Sequence, residues 1–303
     1  MNPLRIGTRG SPLALWQANH VADLLRPLAS PRPVELVLIE TEGDRVRDRA
    51  LSQIGGDGLF TKEIQNAVLE GRADVAVHSL KDLPTHFVDA LTLGAVPPRG
   101  PIGDAFVSHK YLRCADLPQG ARVGTSSLRR RSQLLNRRPD LRVETLRGNV
   151  ESRLRKLDAE GFDTIILAEA GLRRLGLQAH IAEILDRDWM LPAVGQGALG
   201  LEYRTADEPT RALLAHLDDA ATRTAVLCER AFLRRLGGGC LVPIGALGEV
   251  AGGTLTLNGA VLNVDGTASV AGTGRGGADD PEGVGHALAD ELIGRGAGEL
   301  LRR

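Results

Sequence analysis

The 303-residue sequence predicts an α/β protein of two lobes joined by hinge crossings, followed by a small C-terminal α+β domain. Three observations carry that prediction. Between residues 121 and 174 a short apolar strand runs three times into a helix opened by hydroxyl or small residues, the βα pattern of a largely parallel sheet. Two stretches look like crossings between lobes: Val96–Pro101, with three prolines in five residues, and Met190–Ala198 (MLPAVGQGA). From about Ala220 the composition changes to a long helix, glycine-rich strands and a final helix. The domains expected are 1–97 with 198–217, then 101–194, then 220–303.

In chain order, Leu4–Thr8 is a short apolar strand that breaks at Arg9-Gly10. Ser11 and Pro12 then open a helix to about Leu28, Ser11 as N-cap and Pro12 in the first turn. Leu13, Gln17, Val21 and Leu24-Leu25 keep helical spacing and define one buried face. Arg9 and Ser11 therefore stand at a strand-to-helix corner that favours an anion, although a capped helix beside a solvated arginine reads equally well. Val34–Glu40 is the next strand, and Gly55-Gly56-Asp57-Gly58 leads into a helix over 61–70. That glycine loop does not match the phosphate-loop pattern, because no Lys-Ser/Thr follows it. Ala73–Leu80 is a buried strand followed at once by Lys81-Asp82-Leu83-Pro84. Ligand groups gather at such strand ends, so Lys81 and Asp82 are either a charged pair at a site or a salt bridge between sequence neighbours. Strands at 121–124, 141–146 and 164–168 end respectively in Thr125-Ser126-Ser127 with Arg129, Arg130 and Arg131, in Arg147-Gly148-Asn149 with Arg153 and Arg155, and in Glu169-Ala170-Gly171 with Arg173 and Arg174. Arginines recurring at strand-to-helix corners favour a site for several carboxylates, which guanidinium forks grip in pairs. Leu199–Tyr203 rejoins the first lobe as a strand. The C-terminal domain is expected as a helix over 222–236, strands at 243–250, 254–262 and 268–273, and a helix over 281–295.

Totals limit the function classes. Net charge is −1, yet residues 121–156 carry eleven basic residues against three acidic ones, a local excess that attracts an anionic partner. This stretch contains no Phe, Tyr or Trp on which bases could stack, so small polyanions are expected rather than nucleic acid. The chain uses arginine almost wherever a cation will do, with only four lysines, so Lys81 points to a need for a compact ammonium. The opening MNPLRIGTRGS has no leader pattern and no run of about 18 apolar residues occurs, which predicts a cytoplasmic protein with no membrane partner. Cys114, Cys228 and Cys240 are too few and too widely spaced for a disulfide framework or a metal pair, and the seven histidines show no ligand spacing. Cys240 follows Gly237-Gly238-Gly239 and precedes Leu241-Val242-Pro243 in a sharply bent loop. It reads either as a small core residue in a turn or as a nucleophile and attachment point; Cys114 and Cys228 read as incidental.

Five stretches closely resemble the porphobilinogen deaminase (hydroxymethylbilane synthase) family: Arg9–Gln17 (RGSPLALWQ), Val77–Pro84 (VHSLKDLP), Gly124–Arg130 (GTSSLRR), Leu146–Asn149 (LRGN) and Leu191–Gly197 (LPAVGQG). The Gly238-Gly239-Cys240 loop resembles that family's cofactor loop, and the agreement spans nearly the whole chain in the same order. The resemblance implies two lobes like those of periplasmic binding proteins plus a third α+β domain. It implies a transferase of tetrapyrrole and heme biosynthesis, with a dipyrromethane cofactor joined to Cys240 by a thioether. Four porphobilinogen molecules would be added in turn, each losing ammonia, before hydrolysis releases the linear hydroxymethylbilane. By the same resemblance Asp82 is the catalytic aspartate, with Lys81 beside it. Cofactor contacts fall on Ser79, Lys81, Ser127, Arg129, Arg130, Arg147 and Arg153. Substrate contacts fall on Arg9, Ser11, Phe60, Arg147, Arg153, Arg174 and Gln196. A monomer is implied as well.

The chemistry agrees with the residues. Each pyrrole carries two carboxylates, so a growing chain accumulates negative charge for the arginines to neutralise. Loss of the aminomethyl nitrogen leaves an azafulvenium-like cation that a carboxylate at the pyrrole N–H can stabilise. Two positions depart from the family's pattern: Gln53 and Asp57 stand where many relatives have lysine, and neither is given a binding role; Lys62 could partly compensate. The competing reading is an anion-binding clamshell of the cytosol without catalysis, and a second is a Cys240 acyltransferase, which needs a histidine that sequence proximity does not supply.

Overall fold

The computed structural model describes residues 2–41, 43, 58–59, 61–86, 88–239 and 242–302. Gln53, Asp57, Phe60 and Cys240 lie outside them. The chain divides into unit 1, Met1–Gly100 with Ala198–Arg223, and unit 2, Pro101–Gly197 with Thr224–Arg303. Elements are numbered along the chain.

Unit 1 contains β1 (Leu4–Thr8), α1 (Pro12–Ala29), β2 (Val34–Leu38), α2 (Lys62–Leu69), β3 (Val75–Ser79) and β4 (Leu91–Ala95). Unit 2 begins with β5 (Asp104–Val107), β6 (Arg122–Gly124), α3 (Leu128–Arg137), β7 (Arg142–Glu144), α4 (Val150–Ala159), β8 (Thr164–Ala168), α5 (Glu169–Arg174) and β9 (Glu183–Ile184). The chain then returns to unit 1 for β10 (Leu199–Arg204) and α6 (Glu208–Ala215). It leaves again through α7 (Ala220–Arg235), then β11 (Ile244–Ala251), β12 (Thr254–Leu262), β13 (Ser269–Gly277), α8 (Pro281–Gly294) and α9 (Ala297–Leu300).

In unit 1 the sheet order is β2-β1-β3-β10-β4. The first three strands are parallel, and β10 runs antiparallel to both its neighbours. One face is covered by α1, whose Val21, Ala22 and Leu25 pack on Leu4, Ile6, Val75, Val77 and Leu201. On another core of the unit Ile64, Ala67 and Val68 of α2 meet Ala73, Ala76 and Leu91. A sheet covered on both faces accounts for the continuous burial of β3 and β10, polar His78 and Glu202 included. Asp74, just before β3, accepts bonds from Arg5, Arg32 and Arg204 and so ties the ends of β1, β3 and β10.

Unit 2 repeats the topology, with order β7-β6-β8-β5-β9. Here β6 is parallel to β7 and β8, and β5 is the antiparallel strand. In each unit the antiparallel strand is the one that follows a crossing: β5 after Val96–Gly100, β10 after Leu191–Gly197. The C-terminal residues of unit 2 form a separate antiparallel sheet, β11-β12-β13, with its own core of Cys228, Phe232, Ile244, Leu257, Val261, Leu288 and Leu292. The glycines at alternate positions of β13 have a packing reason. A Cβ on Gly272 would stand 3.1 Å from Leu288 and Leu292, and one on Gly276 only 2.5 Å from Val284, so the period-two stripe lets α8 lie close.

Candidate active site

In unit 1 the corner after β1 is closed by Ser11, whose Oγ accepts the Ala14 N–H (3.4 Å) as the N-cap of α1. Arg9 and Ser11 are half-buried there. At the end of β3, Ser79 Oγ accepts a hydrogen bond from the Gln17 side chain (2.7 Å), which is itself buried. His78 points to the other face, where its Nε2 lies 3.0 Å from Glu202 Oε2 and Gln65 donates to the same oxygen (2.9 Å). Successive residues of a strand face opposite ways, so the end of β3 is pinned on both sides. The chain then makes one 3-10 turn, Leu80–Asp82. Leu80 and Leu83 are buried, Leu80 N–H donates to Ala198 O (3.0 Å), and Lys81 and Asp82 stand half-exposed between them. The turn thus presents an ammonium and a carboxylate on a rigid support.

In unit 2 the end of β6 is a polar corner. Thr125 Oγ1 accepts the Ser127 N–H (3.2 Å), Ser126 Oγ donates to Leu146 O, and Ser127 Oγ caps α3 by accepting the Arg130 N–H (3.4 Å). After β7, Asn149 caps α4 through the Ser152 N–H (2.8 Å), and Arg153 Nε donates to Gly148 O (2.8 Å). Arg147 is half-buried, and its Nη1 is enclosed without a hydrogen-bond partner among the described residues. After β8, Arg174 Nη2 donates to Gly197 O (2.7 Å), and burial holds its pKa below the ordinary arginine value.

Arg129 and Arg130 differ from this group. Both are buried, at 3% and 5% exposure, and both bind Asp104, which is 1% exposed. Arg129 Nη1 lies 2.5 Å and Arg130 Nη2 2.7 Å from its carboxylate oxygens. Burial alone would push the Asp104 pKa up, but the two guanidiniums outweigh it and hold the carboxyl well below the usual range. Gln196 joins the same cluster: its Nε2 donates to Ile102 O (2.8 Å) and to Asp104 Oδ1 (3.1 Å). The arginines thus differ in their surroundings. Arg129, Arg130 and Gln196 have internal partners in this structure, while Arg147 Nη1, like Arg129 Nε, is an enclosed donor without a partner among the described residues. Asp104, Gln17, His78, Glu202 and Gln65 were not singled out from sequence; Gln17 alone had a local signal, a polar side chain on the buried face of an amphipathic helix.

A dipyrromethane needs donors for its carboxylates. Arg147 Nη1 and Arg129 Nε, without a partner among the described residues, are such donors, and two guanidiniums sharing one carboxylate leave positive charge to spare, so this donor set fits. Among the described residues no group of three metal-ligating side chains occurs, and no helix is long and apolar enough to cross a membrane.

Comparison with known proteins matches residues 4–212 to the family model "Porphobilinogen deaminase, dipyromethane cofactor binding domain" and residues 223–294 to "Porphobilinogen deaminase, C-terminal domain". The chain is 52% identical over 298 residues to a porphobilinogen deaminase of Syntrophotalea carbinolica, covering 98% of this chain and 95% of that one. It is 51% identical over 298 residues to one of Geobacter metallireducens, covering 98% and 93%. Among solved structures it is similar to a periplasmic substrate-binding protein of an ABC transporter from Coxiella burnetii, at 14% identity and a TM-score of 0.46 over 73% of this chain and 94% of that one. With two family models in tandem and half of all residues shared with relatives along their length, the chain belongs to the porphobilinogen deaminase family.

Proposed function

We propose that the protein is a hydroxymethylbilane synthase, a transferase that joins four porphobilinogen molecules head to tail with release of ammonia. The observation that carries the reading is the match of residues 4–212 to a dipyrromethane-binding domain. When bound, dipyrromethane supplies a covalent primer whose terminal ring carbon is the nucleophile. The residue assigned to its thioether by the family resemblance is Cys240, outside the described residues.

Unit 1 supplies the chemistry at the reacting atoms. Asp82, on the turn braced by Leu80 and Leu83, is proposed to accept a hydrogen bond from the pyrrole N–H of porphobilinogen. As the C–N bond breaks and ammonia leaves with the electron pair, the carboxylate offsets the positive charge left on the ring. After the new carbon–carbon bond forms, the same group can take up the ring proton and return it to solvent. Lys81, its sequence neighbour, is proposed to bind a substrate or cofactor carboxylate, as are Arg9, Ser11 and Ser79. In unit 2, Ser127, Arg147, Arg153 and Arg174 are proposed to hold carboxylates, with Arg129 and Arg130 adding charge through the Asp104 cluster. Phe60 keeps its proposed place beside the substrate. The division 1–97 with 198–217, 101–194 and 220–303 is proposed as the functional one. A cytoplasmic location and a monomeric state belong to the same proposal; sedimentation of the purified chain at one chain mass would support the latter.

The test is stoichiometry. Incubation with porphobilinogen is expected to give one hydroxymethylbilane and four ammonia for each four substrates consumed. Binding of porphobilinogen with no ammonia released would instead favour an anion-binding protein without catalysis.

A further inference from the structure

The segment Leu191–Gly197 is held within unit 2 by buried side chains, two of which, Gln133 and Glu229, have no part in the proposed reaction. At its start Gln133 of α3 pairs with Leu191 much as a neighbouring strand would. The Leu191 N–H donates to Gln133 Oε1 (2.9 Å), and Gln133 Nε2 donates to Leu191 O (3.1 Å). Arg129 Nη1 donates to the same carbonyl (2.6 Å), and Ala246 N–H of β11 donates to Pro192 O (3.0 Å). Further along, Glu229 of α7 is wholly buried. One of its oxygens accepts the Gly195 N–H (2.7 Å) and the other accepts the Gly248 N–H (2.9 Å). Both glycines are required. Gly195 has φ of 71°, and a Cβ on Gly248 would stand 2.8 Å from the Ala225 carbonyl oxygen. The next residue, Gln196, donates to Asp104, the carboxylate that holds Arg129 and Arg130.

A carboxylate taken fully out of water is costly unless it is bonded, and here each oxygen accepts a backbone N–H, the two donors lying on different elements. The bonds run from α7 to the segment, from the segment to Asp104, and from Asp104 to two arginines at the capped start of α3. We infer that Glu229 is a positioning residue for cofactor assembly: through Gly195 and Gln196 it sets Asp104, and hence Arg129 and Arg130, in the register that carboxylate-bearing pyrroles require. Gln133 fixes the same segment from its other end. The inference rests on the function proposed above.

The experiment uses the full chain prepared without cofactor, given porphobilinogen, with the covalent mass gain followed by intact-mass spectrometry. Glu229→Gln replaces one acceptor by an N–H that opposes a backbone donor. It is expected to slow loading about tenfold, on the order of one charge-assisted hydrogen bond. Gln133→Leu, which removes both bonds to Leu191 and leaves the buried carboxylate intact, is expected to slow it as well, and keeps the test informative should Glu229→Gln not fold. Val284→Ala, a core truncation beneath β13, serves as the stability control and is expected to load at the normal rate despite a lowered Tm. Normal loading in both Glu229→Gln and Gln133→Leu, or equal slowing in Val284→Ala, overturns the inference. A wild-type chain that gains no mass overturns the proposed function itself.

Discussion

Asp82 and Asp104 show how differently the fold sets one residue type. Asp82 is half-exposed on a braced turn; Asp104 is closed off beneath two arginines. Asp82→Asn keeps the size and polarity of the side chain but removes its charge. It is expected to leave Tm unchanged while lowering kcat by about 10²–10⁴-fold, and unimpaired turnover would reject the catalytic role. Asp104→Asn instead strands two buried guanidiniums and is expected to cost roughly 3–5 kcal/mol in urea unfolding. The same aspartate sets a pH dependence. Its folded pKa is depressed, so the stability it contributes is complete above the unfolded value of about 4 and is lost as pH falls below that. Asp74 acts in the same sense: burial raises its pKa, but bonds from Arg5 and Arg204 lower it further than burial raises it. Urea midpoints measured from pH 6 down to pH 3 are expected to fall more steeply for wild type than for Asp104→Asn; parallel curves would contradict the assignment. The thiols separate by burial as well. Burial pushes Cys114 up to about 11 and Cys228 up to about 12, with Glu183 and Glu229 adding to the effect. Cys240→Ser protein is therefore expected to show no thiol that reacts at pH 8 before unfolding, and rapid labelling of Cys114 or Cys228 would refute this.

At the scale of elements, the parts readable in the sequence were those whose signal is local. Ser11-Pro12 opens α1, Ser127 caps α3, and the apolar runs of β1, β3 and β8 fall where the pattern places them. Ser127→Ala is expected to destabilise by about 1 kcal/mol through the lost cap, measured as a small drop in urea midpoint, while a drop several times larger would mean that Ser127 holds more than its helix. Three strands escaped the reading: β4, β5 and the two-residue β9. β4 (LTLGA) is short and contains Gly94, where a Cβ would come within 2.7 Å of Tyr203 and Leu214. β5 (DAFV) opens with a charged residue that is buried only because arginines 25 and 26 positions later fold onto it. No local window contains that partnership. For the same reason the sequence did not separate Arg129 and Arg130, which share the internal carboxylate of Asp104, from Arg147, although Arg129 Nε and Arg147 Nη1 alike have no partner among the described residues.

For the molecule as a whole, the chain changes unit three times, and the residues proposed for chemistry and for holding carboxylates follow that division. Asp82 and Lys81 belong to unit 1, while Ser127, Arg147, Arg153 and Arg174 belong to unit 2. The helix that leads in sequence toward Cys240 contributes Glu229 to the same unit as those arginines. The central claim is that a tethered pyrrole primer is part of the working protein, and intact-mass measurement of the purified, active chain and of Cys240→Ser addresses it most directly. The expected result is an addition equal to two pyrrole units on the active wild type and none on Cys240→Ser. An active wild-type chain with the unmodified mass would contradict the account.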